Sequence, residues 1–219
     1  MPENRQKIAK RKAKALSSND GGSMEIKPAA RSRGYFGGFE LPPVYRKLWP
    51  SEVGKIEEHL LRLSPHDRQM RFCGGVSDAR IREYCKEISW TSTTYLGCFV
   101  DGVLRGVACI IVLPEGFSVV AEIAFSVEAP FQNRGIGTVL VRKAISIARN
   151  RYIGTAYLFC LRENGKMRHI AGKFDAEFNY VGADIEGKVS PTWPSYLSYI
   201  EEAELDGHTI WTAAFPTGG

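Results

Sequence analysis

The chain has 219 residues, of which 44% are hydrophobic and 24% are charged. This composition is typical of a folded globular protein and excludes a wholly disordered chain. The longest uninterrupted apolar run, residues 107–113, is 7 residues long, far short of the roughly 20 that a membrane-spanning helix needs. The length therefore suits one folded domain with an additional segment and no membrane span.

The formal net charge of +5 is concentrated at the beginning of the chain. Residues 1–34 hold nine Lys or Arg and three acidic residues, a charge of +6, whereas residues 35–219 hold 20 basic and 21 acidic residues, a charge of −1. A DNA-binding surface needs a basic stripe on the fold itself. The sequence therefore predicts no specific nucleic-acid partner.

Residues 1–34 contain almost no large apolar side chains, so they cannot bury enough surface to offset the entropy lost on ordering. We expect a disordered basic N-terminal arm over residues 1–34 and the folded domain over residues 35–219. The arm is either a solubilising leader, a stretch that precedes a true start at Met24, or a segment that contacts RNA, a membrane or an acidic partner. The absence of interleaved aromatic residues favours the first two alternatives.

The five cysteines are widely spaced and form no C-x-x-C pair. An odd number of cysteines, mostly flanked by apolar residues, indicates reduced core thiols rather than a disulfide scaffold or a zinc finger, and no metal site is predicted. After Leu16 the chain continues into polar residues, where a secretory signal needs an apolar stretch. We therefore expect a cytoplasmic protein.

The first half of the domain is predicted to run from a strand through three helices into a β-hairpin. The hairpin signal is Asp101-Gly102, a two-residue turn between apolar strands. In chain order the predicted elements are a strand over residues 44–49, helices that begin at residues 53 and 65, a third helix capped by Asp78, and strands over residues 95–100, 103–112 and 117–127.

The second half is predicted to contain a strand-helix-strand crossover. A helix over residues 135–152 carries its apolar side chains on one face, and residues 155–161 are a continuous apolar run, as expected of a central strand buried on both faces. A helix over residues 164–174, an outer strand over residues 178–185 and a helix over residues 195–205 follow. The fold class is therefore α+β, an antiparallel sheet with interspersed helices and one crossover.

The most informative motif is Gln132-Asn133-Arg134-Gly135-Ile136-Gly137, which joins a strand to an amphipathic helix. Glycines at such a turn let the backbone approach a ligand and direct amides along the helix axis, which suits a pyrophosphate. The motif lacks the Lys-Ser/Thr ending of the nucleoside-triphosphate loop, and it has two glycines where the dinucleotide-binding fingerprint has three. The alternative is a helix start with small residues for close packing.

The context of this motif resembles a known family. Residues 122–127 (Glu-Ile-Ala-Phe-Ser-Val), the motif itself, the helix that follows it, the strand over residues 157–161 and Glu163-Asn164-Gly165-Lys166-Met167 have the order and spacing of the GCN5-related N-acetyltransferase (GNAT) family. The resemblance covers about residues 44–189. Residues 63–72 (Leu-Ser-Pro-His-Asp-Arg-Gln-Met-Arg-Phe), followed by Val76-Ser77-Asp78, are similar to the acetyltransferase domains of bacterial protein-lysine acetyltransferases.

The resemblance implies a single GNAT-like domain with a mixed, mostly antiparallel sheet, in which two central parallel strands splay apart around acetyl-coenzyme A (acetyl-CoA). The backbone of Val127 then corresponds to the position that binds the pantetheine arm and the thioester oxygen, and Asn164 to a polar residue that contacts the arm. The amides of Arg134, Gly135, Gly137 and Thr138 correspond to the pyrophosphate site. The implied cofactor-binding set is Val127, Gln132, Asn133, Arg134, Gly135, Ile136, Gly137, Thr138, Asn164 and Met167.

Glu122 is the candidate catalytic base, with the Val127 amide as the second catalytic group. A carboxylate in an apolar central strand is costly unless it is paired or used, and in the related protein-lysine acetyltransferases a glutamate at this place acts as general base. The alternatives are a buried partner for an Arg or Lys and an exposed face. Many family members carry a tyrosine as proton donor where this chain has Ala171, and their Gly-Phe pair is replaced by Asp175-Ala176.

The resemblance thus predicts an N-acetyltransferase that moves an acetyl group from acetyl-CoA to a primary amine, either a protein lysine or a small molecule, by direct transfer in a ternary complex. The alternative is a non-catalytic acyl-CoA-binding or sensing module, which the missing tyrosine favours and Glu122 opposes. A nucleic-acid-binding function rests on composition alone. The four histidines are expected to be surface or structural residues, and the aromatic residues between 193 and 211 to pack on the sheet or line the acceptor cleft.

Overall fold

A seven-stranded sheet runs through the part of the chain that the computed structural model describes, residues 42–116 and 118–214. Its strand order is β1-β2-β3-β4-β5-β7-β6, and the predicted arm over residues 1–34 lies outside the described residues. The strands are β1 (Val44–Lys47), β2 (Thr93–Val100), β3 (Val103–Glu115), β4 (Ser118–Val127), β5 (Ala156–Leu161), β6 (Glu177–Val181) and β7 (Asp184–Val189).

Six α-helices accompany the sheet within the described residues. They are α1 (Val53–Arg62), α2 (Pro65–Phe72), α3 (Asp78–Lys86), α4 (Ile136–Asn150), α5 (Gly165–Gly172) and α6 (Tyr196–Ala214). Single 3-10 turns lie at Pro50–Glu52 and Ala129–Phe131. None of the helices in the described ranges combines the length and the apolar content that crossing a lipid bilayer requires.

The two faces of the sheet carry separate hydrophobic cores. On one face α4 buries a stripe that includes Leu140, Ala144 and Ile147 against the central strands. On the other face the core contains Ile56 and Leu60 of α1 and further residues of α3 and the strands. The strand alternation of β4 therefore directs successive side chains into different cores, as the layered α+β prediction requires.

The central strands β4 and β5 pair in parallel over a short distance only. Their register is Ala121 with Ala156 and Glu122 with Tyr157, whereas the pairing of β4 with β3 continues to Val127. The crossover between β4 and β5 runs through α4. The prediction of two splayed parallel strands in a mostly antiparallel sheet is confirmed, and the two strands separate after Glu122 and Tyr157.

Several predicted elements differ from the structure. The single outer strand predicted over residues 178–185 is a hairpin of β6 and β7, because Gly182 adopts a φ of +63° and turns the chain. Helix α3 is capped by the Ser77 hydroxyl, one residue before the predicted cap, and the last helix is longer than predicted. Of the late aromatic residues, Trp193 is 83% exposed and Tyr196 is 80% exposed, so these two do not pack on the sheet.

Candidate active site

A cleft of about 620 Å³ opens where β4 and β5 separate. Residues 124–127 of β4 and Phe159 of β5 form its inner wall, and α2, the start of α4 and α5 surround it. Of the predicted cofactor-binding residues, it is lined by Val127, Gln132, Asn133, Gly135, Gly137, Thr138, Asn164 and Met167.

Two glycines at the start of α4 are required for different reasons. Gly135 is the N-cap residue with a φ of +82°, a conformation that L side chains rarely adopt, and a Cβ built there would meet no heavy atom within 4 Å. A Cβ at Gly137 would instead lie 3.0 Å from Ile170 Cδ1 and 3.2 Å from Phe125 Cε2. Gly137 therefore allows close packing, and Gly135 leaves open space in front of the helix.

The N-terminus of α4 is not capped by a side chain, although three other helices are. Ser64, Ser77 and Asn164 accept hydrogen bonds from the first turns of α2, α3 and α5. The first amides of a helix have no partner within the helix and attract anions. Lys166 and Lys173 line the same cleft, so the cleft suits a polyanionic group.

Gln132 joins the elements around the cleft mouth. Its Nε2 donates to Val127 O at 2.9 Å and to Asp67 Oδ1 of α2 at 3.0 Å. Lys166 Nζ donates to Gln132 Oε1 at 2.6 Å. The end of β4, the start of α2 and the start of α5 are thus held together by one amide side chain.

The backbone of β4 directs the Val127 amide toward the opening. Ala121 N donates to Thr155 O on the β5 side at 2.9 Å, and Glu128 N donates to Arg105 O on the β3 side at 3.0 Å. Amides alternate between the two sides along a strand, and the pairing of β4 with β3 has no irregularity. Val127, like Ala121 an odd-numbered residue, therefore has its N–H on the β5 side, beyond the last β4–β5 pair.

Three of the predicted site residues do not line the cleft with their side chains. Arg134 is exposed, and its guanidinium lies 5.7 Å from the centre of the Phe131 ring. Ile136 is buried in the core on the α4 face. Glu122, the third, lies deeper in the sheet. Asn164 does line the cleft, and its Oδ1 also accepts a hydrogen bond from Met167 N at 3.0 Å, which caps α5.

Glu122 is 3% exposed and lies two residues before Ala124, the first cleft-lining residue of β4. Its register partners are Ile111 on β3 and Tyr157 on β5. Helix α2 brings the Arg71 guanidinium into electrostatic interaction with it. Burial works to lower the pKa of Arg71, but Cys109, Tyr84, Tyr95 and Glu122 together raise it. A cationic side chain that also lines the cleft thus lies close to the candidate base.

The structure also brings together three polar residues that the sequence analysis missed. His59 of α1 is fully buried, with its Nε2 2.9 Å from Ser126 Oγ and its Nδ1 3.3 Å from Glu128 Oε1. Glu128 also accepts hydrogen bonds from Arg62 Nε at 2.8 Å and from Arg105 at 2.9 Å. The expectation that His59 is a structural residue did not include this Ser–His–Glu arrangement beside the cleft.

The ionisation of this group follows from its surroundings. Burial lowers the pKa of His59 despite the hydrogen bond to Glu128. Burial works to raise the pKa of Glu128, but hydrogen bonds to His59 and Arg62 lower it overall. At neutral pH the ring is therefore uncharged and Glu128 is a carboxylate. Since a carboxylate only accepts, Nδ1 carries the ring proton and Nε2 accepts from the Ser126 hydroxyl.

Comparison with known proteins gives a family match. The family model described as the Acetyltransferase (GNAT) family matches residues 58–175, about half of the chain and the whole of the cleft region. No curated protein matches the sequence of the chain.

Solved structures with the same fold are distant in sequence. The GNAT domain of S. lividans PAT superposes with a TM-score of 0.58 at 16% identity, over 67% of this chain and 89% of that one. An acetyltransferase of the GNAT family from Streptococcus pneumoniae gives 0.54 at 16% identity, over 67% and 97% of the two chains. The PaiA N-acetyltransferase from Thermoplasma acidophilum, in complex with coenzyme A, gives 0.51 at 16% identity, over 68% and 99%.

Proposed function

Because the chain belongs to the acetyltransferase (GNAT) family, we propose that it transfers an acetyl group from acetyl-CoA to a primary amine, either a protein lysine or a small molecule, directly within a ternary complex. The observation that carries the proposal is the uncapped, glycine-led start of α4, which opens onto the cleft between the separated strands β4 and β5. This combination provides a phosphate site and an adjoining channel in one cavity.

The residues around the cleft fit a coenzyme A molecule. Amides at the start of α4, from Gly135 to Thr138, would hold the pyrophosphate, and the open space in front of Gly135 accommodates it. Lys166 and Lys173 line the same cleft and add positive charge to it. The complex of PaiA from Thermoplasma acidophilum with coenzyme A supports the choice of ligand.

The Val127 amide is proposed to stabilise the thioester oxygen as negative charge develops on it. Its N–H lies on the β5 side beyond the last β4–β5 pair, as the alternation of β4 requires. A fixed backbone donor at such a position lowers the activation free energy of an acyl transfer by about 3 kcal/mol. Gln132 donates to the carbonyl of the same residue, which holds this part of β4 in place.

Glu122 is proposed to take the first proton from the acceptor. An alkyl amine with a pKa near 10.4 is protonated at neutral pH and must lose a proton before it attacks. Because Glu122 is buried behind Ala124, we propose that it acts through a water molecule in the cleft. The small side chains of Ala124 and Ser126 leave room for that water and for the amine. The Arg71 guanidinium interacts electrostatically with this carboxylate.

The second candidate function is a non-catalytic acyl-CoA-binding or sensing module. Two observations favour it: Glu122 does not line the cleft, and the family tyrosine position is Ala171, which is buried on α5. Neither excludes catalysis, since a thiolate with an unperturbed pKa near 8.5 leaves readily.

We propose that the protein is located in a reducing compartment, such as the cytoplasm, because of the state of its cysteines. None of the five cysteines forms a disulfide within the described residues, and four of them are buried. Burial raises the pKa of Cys85, Cys98 and Cys160 to about 11, which keeps these thiols protonated and unreactive.

The experiment that tests the proposed function has two parts. Calorimetry with coenzyme A measures binding, and release of free thiol from acetyl-CoA measures transfer to a panel of lysine peptides, polyamines, amino acids and aminoglycosides. Binding with amine-dependent thiol release supports the acetyltransferase. Binding without release on any amine supports the sensing module, and no binding contradicts both.

A further inference from the structure

Ser126, His59 and Glu128 form a hydrogen-bonded chain that begins in the cleft and ends inside the protein. The Ser126 side chain lines the cleft, whereas His59 is fully buried behind it and Glu128 is nearly so. The distances are 2.9 Å from Ser126 Oγ to His59 Nε2 and 3.3 Å from His59 Nδ1 to Glu128 Oε1. Any effect of His59 on a molecule in the cleft must therefore pass through the Ser126 hydroxyl.

Each hydrogen bond of the Ser126–His59–Glu128 series is donated in the same direction, from Ser126 toward Glu128. Glu128 is anchored as a carboxylate by Arg62 and Arg105, so it accepts from His59 Nδ1. His59 Nε2 then accepts from Ser126, and the lone pairs of Ser126 Oγ remain for a donor in the cleft. This is the geometry in which a hydroxyl can take up a proton while it passes its own to an imidazole.

Acetyl transfer leaves one proton without an assigned carrier. Once the neutral amine has added to the thioester, its nitrogen is positively charged and must lose a second proton, while the departing sulfur must gain one. Glu122 is assigned to the first deprotonation, and Ala171 at the family tyrosine position has no proton to give. Ser126 adjoins Val127, whose amide is assigned to the thioester oxygen, and both residues line the cleft.

We propose that Ser126, positioned by His59 and Glu128, carries this second proton from the amine nitrogen to the departing sulfur. The proposal rests on the proposed function. Ser126 is the catalytic residue, because it alone of the three touches the cleft, and His59 and Glu128 are positioning residues.

The step balances as follows. The amine nitrogen has formed its bond to the acetyl carbon and gives a proton to Ser126 Oγ, as the Ser126 proton moves to His59 Nε2. The oxyanion re-forms the carbonyl as the bond between carbon and sulfur breaks, and the electron pair of the broken bond leaves on sulfur. His59 returns its proton to Ser126, which protonates the thiolate. The products are the acetylated amine and coenzyme A, and the three residues regain their initial state.

The surroundings of His59 suit a transient rather than a permanent charge. Glu128 stabilises the imidazolium, but its carboxylate is shared with two guanidiniums, those of Arg62 and Arg105, which oppose a lasting positive charge. The lowered pKa of His59 has the same consequence. A ring that accepts a proton and releases it promptly is what a shuttle between two groups in one cleft requires.

The kinetic test uses Ser126→Ala, Ser126→Thr, His59→Gln and the double variant Ser126→Ala/His59→Gln. The substrates are acetyl-CoA and the amine of the panel with the highest turnover, a lysine peptide in the first instance. We expect kcat to fall by about 10²-fold or more in both single variants, Thr to restore most of the loss because it keeps a hydroxyl, and the double variant to be no slower than either single one. Coenzyme A affinity stays at the wild-type value.

A matched control is Ser146→Ala on α4. It removes another buried serine hydroxyl, which donates a hydrogen bond to Glu201 of α6 at 3.1 Å. It should leave kcat unchanged. Full turnover by Ser126→Ala, or additive losses in the double variant, would overturn the relay. If His59→Gln does not fold, the comparison of Ser126→Ala with Ser126→Thr still decides whether turnover needs the hydroxyl at position 126.

A second test needs no acceptor. Nitrogen NMR of the histidine-labelled protein, with the His59 signals assigned by their loss in His59→Gln or by their change in Ser126→Ala, should report a neutral ring with the proton on Nδ1 at pH 7. A doubly protonated ring or a proton on Nε2 would overturn the proposal. Absence of coenzyme A binding or of all turnover would instead contradict the proposed function, so the two failures are distinguishable.

Discussion

Glu122 and Tyr157 form the last residue pair at which β4 and β5 lie in parallel register. On one side of this pair the sheet is closed, and on the other the two strands separate around the cleft. Glu122 is thus buried beneath the opening, two residues before Ala124, the first residue of β4 that lines the cleft. The position is consistent with a base that works through water and with a partner of Arg71, and the two roles predict different behaviour.

Replacing Glu122 by Gln keeps the shape of the side chain and removes its ability to accept a proton. If Glu122 is the base, we expect turnover of the Glu122→Gln variant to fall by about 10²- to 10⁴-fold, with coenzyme A affinity near the wild-type value. If Glu122 is instead the buried partner of the Arg71 cation, we expect the variant to lose about 3–5 kcal/mol in the free energy of unfolding. Steady-state kinetics and thermal unfolding of the same variant distinguish the two.

Glu58→Gln is a suitable control for this comparison, since the Glu58 side chain is 72% exposed. It should change neither turnover nor unfolding. A stable Glu122→Gln protein with normal turnover would refute the base assignment.

A Gly135→Glu substitution should abolish coenzyme A binding. The new side chain would occupy the open space in front of α4 and repel the phosphates that the amides are proposed to hold. Calorimetry measures the effect. Gly182→Glu is the matched control, because Gly182 has a similar φ of +63°, also faces open space, and lies in the turn between β6 and β7.

Both variants carry the same cost of placing a side chain at positive φ, so their unfolding midpoints should be similar. Only the variant at position 135 should lose binding. Unchanged affinity in a folded Gly135→Glu protein would contradict the assignment of the phosphate site.

The sequence predicts those parts of the fold that local patterns determine. The Asp101-Gly102 hairpin, the helix after the glycine motif and the buried strand after it are all found in the structure, because turn chemistry and hydrophobic period specify them within a short window. Most of the predicted cofactor-binding residues lie together in the cleft for the same reason. They come from two strand-to-helix turns, each continuous in the chain.

The features that the sequence did not predict depend on contacts between distant segments. His59 and Ser126 are 67 residues apart in the chain and meet only when α1 packs on β4. The one local signal was the position of His59 on the apolar face of α1, beside Ile56 and Leu60, where a polar ring needs buried partners. The hairpin at Gly182 was missed because apolar residues on both sides of the turn form one apparent strand.

We predict that the Glu52 carboxylate stabilises the folded protein and that this contribution is lost in acid. Burial works to raise its pKa, but hydrogen bonds from Arg46 and Lys55 outweigh burial and lower the pKa from 4.5 to about 2. A group with a depressed folded pKa stabilises the protein above its unfolded pKa and loses that contribution as the pH falls through the folded value. The unfolding midpoint should therefore decrease between about pH 4.5 and pH 2.

The Glu52→Gln variant should unfold at a lower temperature than wild type at pH 7, because it leaves the buried Arg46 guanidinium without its carboxylate. Its midpoint should also depend less on pH in the acidic range. Unfolding curves of both proteins across that range provide the measurement, and parallel acid dependence in the two would contradict the assignment.

Removal of residues 1–34 should leave both thermal stability and turnover nearly unchanged. The prediction follows from the composition of this segment, which carries a charge of +6 and few apolar side chains. A large loss of the unfolding midpoint would show that the segment packs on the domain. A loss of turnover alone would show that it takes part in binding an acceptor.

The central claim is that the cleft between β4 and β5 transfers acetyl groups from acetyl-CoA to amines. Its most direct test is the rate of free-thiol release from acetyl-CoA, with and without each amine of the panel, by the wild-type protein and by Gly135→Glu. We predict release that requires both an amine and the intact turn at Gly135. Tight coenzyme A binding by wild type, with no amine-dependent release across the panel, would contradict the claim and leave a coenzyme-binding module.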